Sequence, residues 1–154
     1  MIKIVNITDS ELKGQICESI LRSLPLWFGI ESAIVDYIKD TKAMKTWVAY
    51  EGELAVGFAT THYHSAASAE IHVLGILAKF HRQGIGRQLL NVVEGDLRHE
   101  GVKFLSVKTL SESRVNEEYA RTRAFYLSVG FTPLQEFKTL WGKENPCLLL
   151  VKAL

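Results

Sequence analysis

The sequence predicts an α/β protein, in which a mixed sheet carries helices on both faces. Three observations predict this class. The first residues alternate like a strand, later strand patterns come in hairpin-like pairs, and two strand–helix crossovers surround a central helix. The predicted order is βαα, ββ, β, α, β, α, ββ. The 154 residues fit one domain, 1–154, with a sizeable core.

In the first half of the chain, caps, breakers and periodicity define the elements. Thr8 or Asp9 can cap a helix that starts near Ser10, and Pro25 stops it. Apolar residues recur along this helix at helical spacing, at Leu12, Ile16, Ile20 and Leu24. The next helix has three apolar or aromatic residues on one face, Ile34, Tyr37 and Ile38. The predicted segments are a strand at 1–7, helices from residue 10 and at 31–42, and a hairpin of strands at 45–50 and 54–64.

In the second half, glycines end both predicted helices. Gly101 and Gly130 stand directly after them, where a left-handed residue commonly terminates a helix. A loop at 142–146 separates the last two strand patterns. The predicted segments are strands at 70–77 and 103–109, helices at 84–100 and 117–129, and a final strand pair at 131–140 and 147–152.

Composition excludes several classes of partner. The chain has 18 basic and 17 acidic side chains, so its net charge of +1 gives no electrostatic footprint for nucleic acid and no basic membrane arm. No apolar run reaches the roughly 20 residues that span a bilayer, and the first residues do not resemble a signal peptide. Cys17 and Cys147 lack metal-ligand spacing. We therefore expect no metal site, buried free thiols rather than a disulfide, and a cytoplasmic protein.

Residues 80–87, Phe-His-Arg-Gln-Gly-Ile-Gly-Arg, lie between a strand pattern and a helix pattern. Such a turn offers backbone N–H groups and a helix N-terminus to a phosphate, and glycine lets the backbone approach the anion closely. The segment is not a Walker loop, because no Lys-Ser/Thr follows, and it lacks the third glycine of the Rossmann fingerprint. It predicts a phosphate-bearing ligand; the alternative is an ordinary strand-to-helix turn.

Two motifs resemble the GCN5-related N-acetyltransferase (GNAT) superfamily. Residues 81–86 match its pyrophosphate loop, Arg/Gln-x-x-Gly-x-Gly/Ala, except that His81 replaces Arg or Gln. Tyr126 stands four residues before Gly130-Phe131, as in the late helix of the family. The resemblance implies a mostly antiparallel sheet with splayed central strands. It also implies acetyl-CoA as co-substrate, with direct acetyl transfer from the thioester to a primary amine of a small molecule or protein.

The resemblance further implies a coenzyme site. In the family the loop holds the pyrophosphate mainly by backbone amides, and the fourth strand binds pantetheine through its backbone. An interior glycine such as Gly75 often marks a bulge or a close backbone approach, although it can also make room for a neighbouring side chain. Tyr119 stands where many members have an Asn, and Asn116 lies one turn earlier. The implied coenzyme-binding residues are Leu74, Gly75, Ile76, His81, Arg82, Gln83, Gly84, Ile85, Gly86, Arg87 and Tyr119.

Acetyl transfer requires an acid for the leaving thiolate and a base for the amine, because only about one part in a thousand of an alkyl amine is neutral at pH 7. Tyr126 occupies the family position whose phenol points at the coenzyme sulfur, so we expect it to be the acid. The alternative is a tyrosine that packs into the core.

Glu70 is the predicted base. Histone-type members of the family place a catalytic Glu eleven residues before the phosphate loop, and Glu70 stands eleven before His81. Members without this Glu use a water chain or another carboxylate, so Glu112 and Glu117 are alternatives. His72 shares the strand face of Glu70 and could relay a proton or simply pack; His62 and His64 are weaker candidates.

In the family, the acceptor site is built from the first two helices and the last strand pair. Here Trp27, Phe28 and Trp141 could wall an apolar pocket, and Glu31 and Asp36 could hold an ammonium group. The alternatives are a non-catalytic acyl-CoA-binding or regulatory module, and transfer of a different acyl group or to a different nucleophile. The sequence leaves the acceptor and a homodimer open.

Overall fold

The computed structural model describes all residues, 1–154, and contains one seven-stranded sheet. The strands are β1 (Ile2–Ile7), β2 (Lys45–Glu51), β3 (Leu54–Tyr63), β4 (Ser68–Ile76), β5 (Phe104–Leu110), β6 (Thr132–Phe137) and β7 (Cys147–Ala153). The helices are α1 (Ser10–Arg22), α2 (Glu31–Ala43), α3 (Ile85–His99) and α4 (Glu117–Ser128). The strand order is β1-β2-β3-β4-β5-β7-β6, and only β4 and β5 run parallel.

The predicted fold class is confirmed, and every predicted helix and strand is present. Asp9 caps α1, because its carboxylate accepts the N–H of Leu12, 3.1 Å away. The Leu12 side chain itself is exposed, so the buried face of α1 is narrower than predicted. The last strand pair is shorter than predicted, because the chain leaves the sheet after Phe137 and turns at Gly142, which has a φ of +89°. Neither cysteine forms a disulfide and both are buried, as expected.

The sheet separates two hydrophobic clusters. One lies under α3 and α4 and includes Trp47, whose side chain is fully buried and whose Nε1 donates to Asp96 of α3 over 2.6 Å. The other lies under α1 and α2 and includes Phe58. Burial of each large apolar side chain stabilises the fold by about 1.5–3 kcal/mol. The two clusters hold helix pairs on opposite faces of one sheet.

Strands β4 and β5 part halfway along their length. They pair from Ser68 opposite Phe104 to Ile71 opposite Val107, and beyond these residues each continues without the other. The parting begins at a β-bulge: Thr60 pairs with Val73 and Thr61 with Ile71, which leaves His72 unpaired. An extra residue bends its strand. His72 and Val73 consequently both face α1 and α2, where strict alternation would place them on opposite faces.

The bulge suggested for Gly75 lies at His72 instead. Gly75 is regularly paired with Phe58. A Cβ atom at Gly75 would lie 3.1 Å from the Ile20 side chain and 3.3 Å from the ring of Phe58. The glycine therefore makes room for α1 to pack against β4.

No helix is long and apolar enough to cross a bilayer.

Replacing two exposed glycines of the α3 region with alanine should change the free energy of unfolding in opposite directions. Gly95 lies inside α3, whereas Gly101 follows it with a φ of +86°, and a Cβ would meet nothing within 4 Å at either position. Gly95→Ala should raise the free energy of unfolding by about 0.5–1 kcal/mol, because alanine favours the helix. Gly101→Ala should lower it by about 1 kcal/mol, because alanine disfavours left-handed backbone. Urea unfolding measures both changes, and two changes of the same sign would contradict the assigned conformations.

Candidate active site

A cavity of about 1210 Å³ opens where β4 and β5 part. Its walls are the separated strand halves, the loop 80–87, the inner face of α4, and the loops 23–30 and 138–146. A site for one small molecule typically measures roughly 300–1,000 Å³. The cavity is therefore larger than a usual site for one small molecule.

The loop before α3 presents an uncapped helix N-terminus to the cavity. Gly84 stands at the N-cap position with a φ of +77°, and no side chain accepts the first N–H groups of α3. Arg82 adopts a φ of +62°, a conformation that costs a residue with a Cβ about 1–2 kcal/mol. Free N–H groups at a helix start attract anions. The geometry of the loop is that of a phosphate site.

Gly84 and Gly86 serve different purposes. A Cβ at Gly84 would meet nothing within 4 Å, so this glycine is required by its left-handed backbone. A Cβ at Gly86 would lie 2.9 Å from Cζ of Phe125, so this glycine lets α3 pack closely on α4.

The cavity is strongly positive although the whole chain is nearly neutral. Four of the seven arginines line it, and none of these four forms an ion pair with a carboxylate. Lys108 also lines the cavity, whereas Glu144 is its single lining carboxylate. Arginines without carboxylate partners on a cavity wall indicate anionic ligands. The four arginines are Arg82, Arg87, Arg114 and Arg121.

All of the predicted coenzyme-binding residues except Gln83 line the cavity. The Gln83 side chain is exposed and donates to the carbonyl of Lys79 over 3.1 Å. His81 donates through Nε2 to the carbonyl of Ile76, 2.6 Å away, and its ring meets Trp27 edge-on. His81 thus fastens the loop to the end of β4, and the Ile76 carbonyl already has a partner within the protein.

Tyr119 connects α4 to the loop between α1 and α2. Its hydroxyl donates to the carbonyl of Trp27 over 2.6 Å, and Trp27 Nε1 donates to the carbonyl of Glu118 and the hydroxyl of Thr122. Burial raises the pKa of Tyr119 to about 12. Asn116 is the N-cap of α4, because its side chain accepts the N–H of Tyr119. We call these contacts the Trp27 bridge; they span the cavity from one face of the sheet to the other.

Tyr126 both packs in the core and lines the cavity. It is only 5% exposed, and its ring contacts Phe125 and Phe131. Its hydroxyl makes no hydrogen bond within the protein, yet it is not among the buried unpaired polar atoms. Burial raises the pKa of Tyr126 well above its usual value near 10. The side chain is a protonated donor without a partner at the cavity wall.

Glu70 lies behind the cavity wall, whereas His72 forms part of it. Glu70 is 8% exposed and accepts from Lys108 Nζ over 3.1 and 3.2 Å, and one of its oxygens lies 2.7 Å from His64 Nε2. His72 and Lys108 line the cavity, and Glu70 does not. His72 Nε2 lies 2.9 Å from the Asp40 carboxylate, which leaves the other ring nitrogen free. The alternative carboxylates Glu112 and Glu117 are exposed and outside the cavity wall.

The predicted aromatic wall is present, but the predicted ammonium-binding carboxylates are elsewhere. Trp27, Phe28 and Trp141 line the cavity. Both oxygens of Glu31 accept from Arg22, at 2.7 and 3.1 Å, and Asp36 is exposed outside the cavity.

Four charged residues of the site were not predicted from the sequence, because no motif marks them. They are Asp40, Lys108, Arg114 and Arg121.

The comparisons with known proteins identify this architecture. A family model described as an acetyltransferase (GNAT) domain matches residues 42–133, more than half of the chain. A GNAT family protein from Desulfovibrio desulfuricans has a similar structure, with a TM-score of 0.87, 15% identity and 99% of both chains covered. A GNAT family acetyltransferase from Elizabethkingia anophelis, with acetyl-CoA bound, has a TM-score of 0.76 at 20% identity over 99% of this chain and 98% of that one.

A third similar structure is the PaiA N-acetyltransferase from Thermoplasma acidophilum in complex with coenzyme A. Its TM-score is 0.76 at 15% identity, over 100% of this chain and 99% of that one. At these identities the solved structures establish the shared fold. No curated protein matches the chain in sequence.

The raised pKa of Tyr126 should appear in the alkaline stability of the protein. Above about pH 10 the unfolded chain releases the phenol proton while the folded chain retains it, so ionisation favours unfolding. The contribution of the protonated Tyr126 phenol to the free energy of unfolding is complete below this pH and is lost as the pH rises. Between about pH 10 and 11, Tyr126→Phe should make the decline of the unfolding free energy shallower by up to about 1.4 kcal/mol per pH unit. Urea unfolding across this range measures the slope; equal slopes in the two proteins would contradict the burial of the phenol.

Proposed function

Because the chain belongs to the GNAT family of acetyltransferases, we propose that it transfers an acetyl group from acetyl-CoA to the primary amine of a small molecule or protein. One observation carries the proposal. The partnerless phenol of Tyr126 lies on the same cavity wall as an uncapped helix N-terminus and arginines without carboxylate partners. An acid for a leaving group and a site for phosphates thus share one cavity.

The residues of the cavity wall suit acetyl-CoA. The free N–H groups of α3, with Arg82 and Arg87, provide positive charge for the pyrophosphate. Beyond Ile71, β4 has no strand on its β5 side, so backbone groups near Leu74 and Gly75 can bind the pantetheine amides. Tyr119 lines the same cavity and fastens the loop 23–30 through its bond to Trp27, which supports a role for Tyr119 beside the coenzyme.

The proposed transfer is direct. The amine nitrogen attacks the thioester carbonyl carbon, the carbon–sulfur bond breaks, and a base takes the extra proton of the amine. Tyr126 donates its proton to the departing coenzyme thiolate, because burial keeps the phenol protonated and nothing in the protein accepts its hydrogen bond. The products are an N-acetylated amine and coenzyme A.

Two groups on the α1/α2 face are candidates for the base that removes the amine proton, Glu70 and His72. The resemblance to histone-type members favours Glu70. The geometry favours His72, since His72 lines the cavity and is oriented by Asp40, while Glu70 reaches the cavity only through Lys108. We therefore propose His72 as the direct base and Glu70 as a positioning residue that holds Lys108.

Tyr126→Phe should separate catalysis from coenzyme binding. Loss of the phenolic donor should lower turnover by about 10²–10⁴-fold, which is the usual contribution of a general acid to the rate. The affinity for acetyl-CoA should stay within a few fold of wild type. Thiol release from acetyl-CoA, over a panel of polyamines, amino acids, aminoglycosides and peptide N-termini, measures turnover, and calorimetry measures affinity.

Tyr63→Phe is the matched control, because the Tyr63 hydroxyl bonds Glu100 outside the cavity. No thiol release with any amine, despite tight acetyl-CoA binding, would favour a non-catalytic acyl-CoA-binding module. Release in the presence of a longer acyl-CoA alone would identify a different acyl donor.

Substitution of the two proposed proton acceptors should have unequal effects. His72→Asn should lower kcat/KM by about 10²-fold or more, because the variant lacks the group that accepts the amine proton. Glu70→Gln should lower kcat/KM less, because His72 remains. Glu117→Gln, which changes an exposed carboxylate of α4, is the control. A larger loss of kcat/KM in Glu70→Gln than in His72→Asn would identify Glu70 as the base.

A further inference from the structure

We infer that the amine acceptor also carries an anionic group, such as a carboxylate, and an apolar side group, as an apolar amino acid does. The inference rests on the proposed function and names the substrate class of the same cavity. It is carried by two features of one cavity wall: Arg114, which has no carboxylate partner, and a set of exposed apolar side chains.

We define the acceptor end of the cavity as the part lined by the loops 23–30 and 138–146 and by the β5–α4 loop that carries Arg114. The proposed phosphate site lies at the start of α3, and Trp27 of the first loop contacts His81 beside it. Arg114 donates through one Nη to the Asn145 side chain over 2.5 Å and to the carbonyl of Glu144 over 3.3 Å. These bonds fasten Arg114 to the loop 138–146, and its remaining N–H groups have no acceptor in the protein. A fixed guanidinium with free donors is suited to a carboxylate.

The other charges at this end do not neutralise Arg114. Lys108 is already paired with both oxygens of Glu70. Glu144 offers Arg114 its backbone carbonyl, and its carboxylate forms no ion pair. Glu31 and Asp36 lie outside the cavity. A polycation would therefore meet Arg114 with only one lining carboxylate to attract it, whereas an acceptor with its own carboxylate would neutralise the guanidinium.

Exposed apolar side chains line the same cavity. Leu26 is 64% exposed and Ile30 57%, and both line the cavity together with Phe28 and Trp141. Large apolar residues grouped at the mouth of a cavity mark a surface that a ligand covers. An apolar side group on the acceptor would bury them, while its carboxylate is bound by Arg114 and its amine extends towards Tyr126.

Matched acceptors test the inference. We would measure kcat/KM by thiol release at saturating acetyl-CoA with L-phenylalanine, L-phenylalaninamide, phenethylamine and spermidine. L-Phenylalanine should exceed its amide by about 10–100-fold, the ratio expected for a hydrogen-bonded charge. The amine of the amide is less basic, so a larger fraction of it is neutral and reactive. Basicity alone would therefore favour the amide, and a preference for the acid cannot be due to it. Equal rates for acid and amide, or a preference for spermidine, would overturn the inference.

Substitutions of Arg114 test whether this residue causes the preference for the acid over the amide. Arg114→Gln should abolish the preference for the acid over the amide, and Arg114→Lys should restore part of it. Lys143→Gln removes a cation of the same loop outside the cavity and should leave the preference intact. A rise in the KM for acetyl-CoA in Arg114→Gln, with an unchanged acceptor preference, would assign Arg114 to the coenzyme. A larger loss in Glu144→Gln than in Arg114→Gln would indicate a cationic acceptor; both outcomes overturn the inference.

A binding experiment separates this inference from the proposed function. The protein saturated with coenzyme A would be titrated calorimetrically with N-acetyl-L-phenylalanine and with its amide, which requires no turnover. Tighter binding of the acid by about 10-fold or more, lost in Arg114→Gln, would support the substrate class even if no amine were acetylated. Equal affinities would overturn it even if the protein proved to be an acetyltransferase.

Discussion

The site depends on one extra residue in β4. His72 has no partner on β3, and at this point β4 bends away from β5, its only parallel neighbour. Without the bulge the two strands could continue to pair, and their backbone groups would satisfy each other across a closed sheet. The same residue turns its side chain towards Asp40 on α2. A single irregularity thus opens the cavity and places a candidate proton acceptor in its wall.

The cavity concentrates features that weaken a folded protein in the absence of ligand. Arg82 has a left-handed backbone, α3 begins without a cap, and the wall carries four arginines but a single carboxylate. Such features persist where the remaining structure enforces them, here through His81 on Ile76 and the Trp27 bridge. An anionic ligand would bind the free N–H groups of α3 and offset the charge of the arginines, which couples ligand binding to stability.

Local sequence patterns predicted the elements and the residues that lie in motifs, but not the contacts between distant segments. Gly84 was predicted from the glycine-bearing turn, and Tyr126 from the resemblance of its spacing to Gly130-Phe131 to that in the late helix of the GNAT family. The bond from Tyr119 to Trp27 joins residues 92 positions apart, and that from Lys108 to Glu70 joins residues 38 apart. No local periodicity encodes such pairs. Glu70 was predicted to lie at the reacting amine. In the structure β5 packs beside β4, and Lys108 of β5, which binds Glu70, lines the cavity where Glu70 does not.

The gap between β4 and β5 also explains why a covalent intermediate on cysteine is unnecessary. The proposed phosphate site lies on the α3/α4 face, and His72 faces α1 and α2, so an acetyl donor and an acceptor could approach one another from opposite faces through the gap. Neither Cys17 nor Cys147 lines the cavity, and burial raises the pKa of each thiol to about 11. A thiol that stays protonated at neutral pH is a poor nucleophile. The arrangement therefore supports the proposed direct transfer, in which both substrates are bound together.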